Sequence, residues 1–158
     1  MQDGSRPAYV QIGQIAVASR QPIGVLGLGS CVALGLMDGI GGHAVVAHIS
    51  LPDEGPDHRF AGAAVPAAIA AALHVGMVRA CIRAWVAGGA NVVPLLRSRI
   101  GERNVESILV LLQGAGIPLA QADVGGTRGR SVIFDPVQLT MLTRYVTSER
   151  PGAGRADH

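Results

Sequence analysis

One cysteine and one histidine in this chain stand in surroundings suited to nucleophilic catalysis. Cys31 follows the glycine-rich run Gly27-Leu28-Gly29-Ser30, and His48 comes shortly before Ser50-Leu51-Pro52. A thiolate is a strong nucleophile, and an imidazole within reach can take the thiol proton and later return it to a leaving group. Glycines ahead of the cysteine let a substrate approach the backbone closely and can turn the N–H groups around Gly29 and Ser30 toward one point. A carbonyl attacked by sulfur develops an oxyanion, which such N–H groups stabilise without reorganising. The implied chemistry is acyl transfer through a thioester, with Cys31 as nucleophile and His48 as base.

The pair works only if the fold brings it together. Cys31 to Met37 alternates small and large residues and reads as a half-buried strand. Asp38-Gly39-Ile40-Gly41-Gly42 is a turn signal, and His43 to Ile49 returns as a second strand. A two-residue turn on Gly39-Ile40 sets Cys31 opposite His48. A turn on Asp38-Gly39 sets Cys31 opposite Val46, with His48 diagonally adjacent on the same face. A three-residue loop would put the two on opposite faces.

The remaining pattern supplies a scaffold. Tyr9–Ala18, Ile23–Leu28, Cys81–Ala87, Leu119–Val124, Ser131–Phe134 and Leu139–Val146 read as strands. Phe60–Met77 and Gly101–Gly114 read as helices, with Pro66 implying an early-turn position or a kink in the first. Antiparallel runs interrupted by two helices predict an α/β layered sandwich and not a doubly wound βαβ sheet. Residues 1–146 are expected to form one domain, and the polar stretch 147–158 a disordered tail.

Composition narrows the function classes. The chain has 158 residues, 49% hydrophobic and 15% charged, enough for a packed core. A net charge of +2 and 3% aromatics argue against nucleic acid or an anionic membrane as partner. The N-terminal residues lack a secretory pattern, and the alanine-rich stretch with Pro66 makes a poor membrane span, so a cytoplasmic protein is expected. Cys31 and Cys81 are expected to stay free thiols there. Gly27-Leu28-Gly29 does not make a dinucleotide site, because Val32 stands where a third small residue belongs and the turn at Asp38-Gly39 comes too soon for the helix. The cysteine and histidine spacings imply no metal, and no cofactor is expected.

The segment Gly27-Leu28-Gly29-Ser30-Cys31-Val32, with Ala47-His48 and Leu51-Pro52, resembles the paired nucleophile and histidine motifs of the CheD proteins. The likeness continues in Ala87-Gly88-Gly89-Ala90, in Ile100-Gly101-Glu102-Arg103-Asn104-Val105, and in Asp123 to Val132, in family order. The resemblance implies a CheD-like sandwich shared with certain toxin deamidases. It implies hydrolysis of glutamine side-chain amides on methyl-accepting chemoreceptors, with Cys31 as nucleophile, His48 as general base and a CheC-type phosphatase as partner. The family typically carries a threonine six residues before the cysteine as a third catalytic member. Here that position is Val25, which has no hydroxyl. Two readings therefore compete: a protein-glutamine deamidase, and a weak or inactive adaptor that binds receptor or phosphatase. Of the other notable residues, Cys81 is expected in the core, His43 as structural, Arg128 and Arg130 as solvated, and the Gly101–Asn104 block as a helix cap.

Overall fold

The structure, a computed structural model, describes residues 7–147. The expected tail therefore lies, apart from Thr147, outside the described residues.

Two mixed sheets stack face to face, and two helices cover the outer face of the larger one. The strands are β1 (Ala8–Tyr9), β2 (Ile15–Ser19), β3 (Ile23–Leu28), β4 (Val32–Met37), β5 (His43–Ile49), β6 (Arg83–Gly88), β7 (Leu119–Val124), β8 (Arg130–Asp135) and β9 (Thr140–Tyr145). The helices are α1 (Ala61–His74) and α2 (Ile100–Gly114). The four-stranded sheet runs β1-β3-β8-β9, and the five-stranded sheet β2-β5-β4-β6-β7. Pairings are antiparallel except β1 with β3 and β6 with β7. This is the α/β sandwich the pattern predicts.

Strand alternation divides the larger sheet between two cores. Val32, Leu34 and Leu36 of β4 and Val45, Ala47 and Ile49 of β5 pack against Ala64, Ala68 and Ile69 of α1 and Ile108 and Leu112 of α2. Ala33 and Met37 of β4 and Ala44 and Val46 of β5 face Val25, Leu28, Val132 and Phe134 of the other sheet. β4 is consequently buried along its whole length, not half-buried as its small residues suggest. Its small side chains are where the sheets approach: a Cβ at Gly35 would lie 2.5 Å from Cε1 of Phe134.

Three predicted elements change. The expected strand Tyr9–Ala18 divides, because a turn with Gly13 at φ +79° carries the chain from one sheet to the other. The helix over 60–77 is shorter, and Pro66 sits inside it on the exposed side. Cys81 belongs to a 3-10 turn, Arg79–Cys81, before β6, and is half-buried instead of core.

Gly35→Ala should lower stability by about 1–3 kcal/mol, the usual effect of overpacking a tight core. Denaturant unfolding of Gly35→Ala, Phe134→Leu and the double variant checks this. The two changes should couple favourably, the double variant losing less than the two single losses added.

Candidate functional site

The β4–β5 hairpin decides whether Cys31 and His48 meet. Ala33 pairs with His48, and the last pair before the connection is Met37 with Ala44. The connection is longer than either two-residue turn considered. It is shaped by Gly39 at φ +77° and Gly42 at φ +72°, and the Asp38 carboxylate accepts from the Ile40 N–H at 3.0 Å. The added residues are even in number, so parity is kept. Cys31, two positions before Ala33, projects from the same face as His48, diagonal to it. Diagonal neighbours lie about 7–8 Å apart at Cα, and no hydrogen bond joins the Cys31 thiol to the His48 ring. That face is the layer between the sheets, against which Cys31 packs.

The histidine is held by its ring and by its backbone. His48 is 5% exposed, and its Nδ1 lies 3.0 Å from the carbonyl oxygen of Val10. A carbonyl only accepts, so Nδ1 carries the proton and Nε2 the lone pair. Nε2 is buried with no hydrogen-bond partner among the described residues. Val10 is at the crossover between sheets: its N–H donates to the Gly24 carbonyl at 2.9 Å, after which the chain turns at Gly13 into β2. The same turn grips the His48 backbone. Gly13 N–H donates to the His48 carbonyl at 2.9 Å, and His48 N–H donates to the Gln14 carbonyl at 3.2 Å.

The nucleophile loop is held by its carbonyls. The Gly29 carbonyl accepts from Ala90 N–H at 2.8 Å, and the Cys31 carbonyl from Gly89 N–H at 2.9 Å. The Ser30 carbonyl accepts from Asn104 Nδ2 at 3.0 Å. Close approach here requires glycine: Gly88 has φ +113°, and a Cβ on it would collide with the Cys31 carbonyl. Among the described residues, no group accepts from the N–H of Gly29, Ser30 or Cys31. Ser30 borders a cavity of about 140 Å³ shared with Val92, Leu96 and Ser98.

Val25 is fully buried in the layer between the sheets, paired with Val132. It offers His48 no hydroxyl, and the imidazole takes the Val10 carbonyl instead. Burial pushes the Cys31 thiol up from its ordinary value. Burial likewise lowers the His48 pKa, with the bond to Val10 opposing it in part. Both shifts favour a neutral thiol and a neutral imidazole in the free protein, in place of the standing thiolate that a cysteine–histidine pair suggests.

Two other readings are corrected. Arg130 is 1% exposed, not solvated, and pairs with Asp123 at 2.7 Å while also donating to the Gly125 and Arg128 carbonyls. Asn104 does not cap α2. It lies in the helix's second turn, fully buried, with Nδ2 also 3.1 Å from the Ser50 carbonyl. Neither role was visible locally, because each depends on strands far away in sequence. Arg128 is exposed and rests over the Tyr145 ring at 4.9 Å. His43 starts β5 with its Nδ1 2.8 Å from Ser19 Oγ, apart from the site.

A family model described as CheD chemotactic sensory transduction matches residues 50–145. The chain belongs to the CheD family. Similar proteins span most of it. A probable chemoreceptor glutamine deamidase CheD 1 of Anaeromyxobacter dehalogenans is 40% identical over 83% of this chain and 80% of its own. A probable chemoreceptor glutamine deamidase CheD of Symbiobacterium thermophilum is 37% identical over 92% and 93%. The chemoreceptor glutamine deamidase CheD of Thermotoga maritima is 34% identical over 87% and 90%. The 92% coverage leaves too little chain outside the alignment to exclude Cys31 or His48. Among the described residues of this CheD chain, no group of three His, Cys, Asp or Glu is placed to hold a metal, and no helix is long and apolar enough to cross a membrane.

The lowered His48 pKa has a consequence for stability. Above the ordinary value of 6.5 the ring is neutral folded and unfolded, and its contribution is complete. Below that value the unfolded chain takes up the proton first, so stability is lost as pH falls through the lower folded pKa. Thermal melts of wild type and His48→Gln from about one unit above to about two units below the pKa of an ordinary histidine, roughly pH 7.5 to pH 4.5, should show a steeper acid decline for wild type.

Proposed function

We propose that this chain deamidates selected glutamine side chains of chemoreceptors, with Cys31 as nucleophile and His48 as general base. The observation that carries this is the His48 ring: protonated at Nδ1 toward Val10, bare at Nε2, and on the face from which Cys31 projects. The names of its relatives supply the substrate class.

The mechanism follows from a neutral pair. As Sγ of Cys31 attacks the glutamine carboxamide carbon, its proton passes to Nε2 of His48. The resulting oxyanion is met by the backbone N–H groups of Gly29, Ser30 and Cys31, which have no partner among the described residues. His48, now an imidazolium in a setting that disfavours charge, readily returns the proton to the departing nitrogen. The C–N bond breaks, ammonia leaves, and a thioester joins Cys31 to the receptor. Nε2 then takes a proton from water, hydroxide adds to the thioester, and the thiol departs reprotonated, leaving glutamate. A folded receptor reaches Cys31 past the exposed apolar residues Val92, Val93, Leu95 and Leu96, whose loop borders the nucleophile turn. The proposal includes a cytoplasmic site of action, where Cys31 and Cys81 stay reduced.

A second reading keeps the surface and drops the chemistry: an adaptor that binds receptor or a CheC-type phosphatase. The absence of a hydroxyl at the buried Val25 and the raised Cys31 pKa favour it.

Ammonia release from a receptor fragment, with glutamate sites mapped by mass spectrometry, separates the two. Under the deamidase reading Cys31→Ala abolishes turnover, and His48→Gln lowers kcat by about 10²–10⁴-fold, the range for loss of a general base. An inactive wild type that still binds receptor or phosphatase would establish the adaptor.

Because the Val10 carbonyl already holds Nδ1, Val25→Thr should not restore a missing function. We expect turnover within about threefold of wild type and a stability loss of about 1–3 kcal/mol from the buried hydroxyl. A tenfold gain in kcat would show instead that the imidazole lacks a partner.

A further inference from the structure

Asn104 is the polar exception on the inward face of α2, whose other buried residues are Gly101, Ile108 and Leu112. It is 0% exposed, and its Nδ2 donates to two main-chain carbonyls, Ser30 at 3.0 Å and Ser50 at 3.1 Å. Ser30 immediately precedes Cys31, and Ser50 follows His48 by two residues. One side-chain amide therefore joins the start of the nucleophile's strand to the end of the base's strand, beyond the last ladder pair, Val32 with Ile49. Its orientation is settled chemically, since the flipped amide would point Oδ1 at two carbonyl oxygens.

The other half of the amide argues that stability alone does not account for Asn104. Oδ1 is buried with no hydrogen-bond partner among the described residues. A desolvated acceptor left unpaired is destabilising, and an aliphatic residue of similar volume would avoid it. The bridge is needed where the sheet's own bonds run out. Past Val32 and Ile49 the two strands lose their mutual pairing, and Cys31 lies in that unpaired stretch. The Gly89 bond to Cys31 and the Ala90 bond to Gly29 tie the loop to the β6 side. Asn104 supplies the tie toward the β5 side, where His48 stands.

We propose that Asn104 is a positioning residue that fixes the separation of Cys31 and His48, an inference that rests on the deamidase reading above. It touches neither reacting group and acts through the two carbonyls. Its loss should let the nucleophile loop drift relative to β5, and a misplacement on the order of 1 Å can lower turnover by about 10²-fold.

The test uses Asn104→Leu, which keeps the volume, and Asn104→Ala, which admits water to the carbonyls, both in the full chain with Cys81→Ser. Each should remain folded, melting below wild type because two carbonyls lose a donor, and lower kcat on the receptor fragment by about 10–100-fold, with KM within about twofold. The second readout is the pH dependence of Cys31 alkylation. Any dependence of the rate on His48, measured against His48→Gln, should be present with Asn104 and lost in both Asn104 variants. Turnover within twofold of wild type, with the His48 dependence intact, overturns the proposal. So does a failure of both variants to fold, which would make the amide a determinant of the fold. If wild type itself shows neither turnover nor a His48-dependent alkylation rate, the deamidase reading fails first and this inference falls with it.

Discussion

The bond from His48 Nδ1 to the Val10 carbonyl is the interaction on which the site's chemistry depends. An imidazole can serve as a base only if one nitrogen is committed elsewhere and the other is bare. The 3.0 Å bond commits Nδ1 and leaves Nε2 as the lone-pair nitrogen. That carbonyl is available because Val10 does not continue a strand. The chain leaves the four-stranded sheet after Tyr9, turns at Gly13, and enters the five-stranded sheet as β2, so Val10 sits where the two sheets exchange a strand. A side-chain hydroxyl could do the same orienting work, but a main-chain acceptor fixed by the fold has less freedom to lose. The change at Val25 is then compatible with an ordered imidazole.

A second set of constraints places Cys31, the proposed nucleophile, on the face from which that ring projects. The carbonyls of Gly29, Ser30 and Cys31 are bound from behind by Ala90, Asn104 and Gly89, which leaves their N–H groups facing away from the scaffold's own acceptors. The segment around Gly89 and Ala90 is itself backed by a further layer. Gly125 N–H donates to the Gly88 carbonyl, and Asn91 N–H to the Gly126 carbonyl. The buried Arg130 holds this last turn through the Gly125 and Arg128 carbonyls and through Asp123. Removing Asp123 would strand a buried guanidinium, which is far more costly than losing an exposed pair. The ion pair thus has a reason to persist three layers from the thiol.

The parts of this arrangement that follow from period and parity were legible in the chain. Alternation in β4 and β5 placed both strands, whereas a shared face for Cys31 and His48 was conditional on an even connection, which the structure supplies at greater length than either two-residue turn. The parts that depend on contacts between distant segments were not. Nothing near Val10 marks its carbonyl as a histidine's partner, because the strand pattern runs on through residue 10 and only tertiary structure breaks it. Asn104 reads locally as a polar residue near a helix start, and Arg130 as one of two exposed arginines. Their burial is decided by Ser30, Ser50 and Asp123, which lie elsewhere in the sequence. β4 read as half-buried because the sequence shows how its side chains alternate, not that a layer covers each side.

Electrostatics sets the form of the chemistry that the geometry permits. Charging both members of a cysteine–histidine pair before substrate arrives requires an environment that stabilises separated charge, such as a helix N-terminus or a neighbouring cation. Cys31 has neither, and burial pushes its thiol up and the His48 ring down. Both shifts oppose the ion pair, so in the proposed mechanism the proton moves as the carbon–sulfur bond forms. Under the proposed deamidation, charge appears first on the substrate oxygen, near loop N–H groups that have no partner among the described residues, and on an imidazolium that its surroundings press to give the proton back. A thiol held neutral in this way reacts more slowly with small electrophiles than a standing thiolate would. It reacts when an amide of the right shape brings its own oxyanion into the loop. If the chain deamidates particular glutamines on a folded receptor, as proposed, that restraint is a source of selectivity requiring no deep pocket around the substrate side chain.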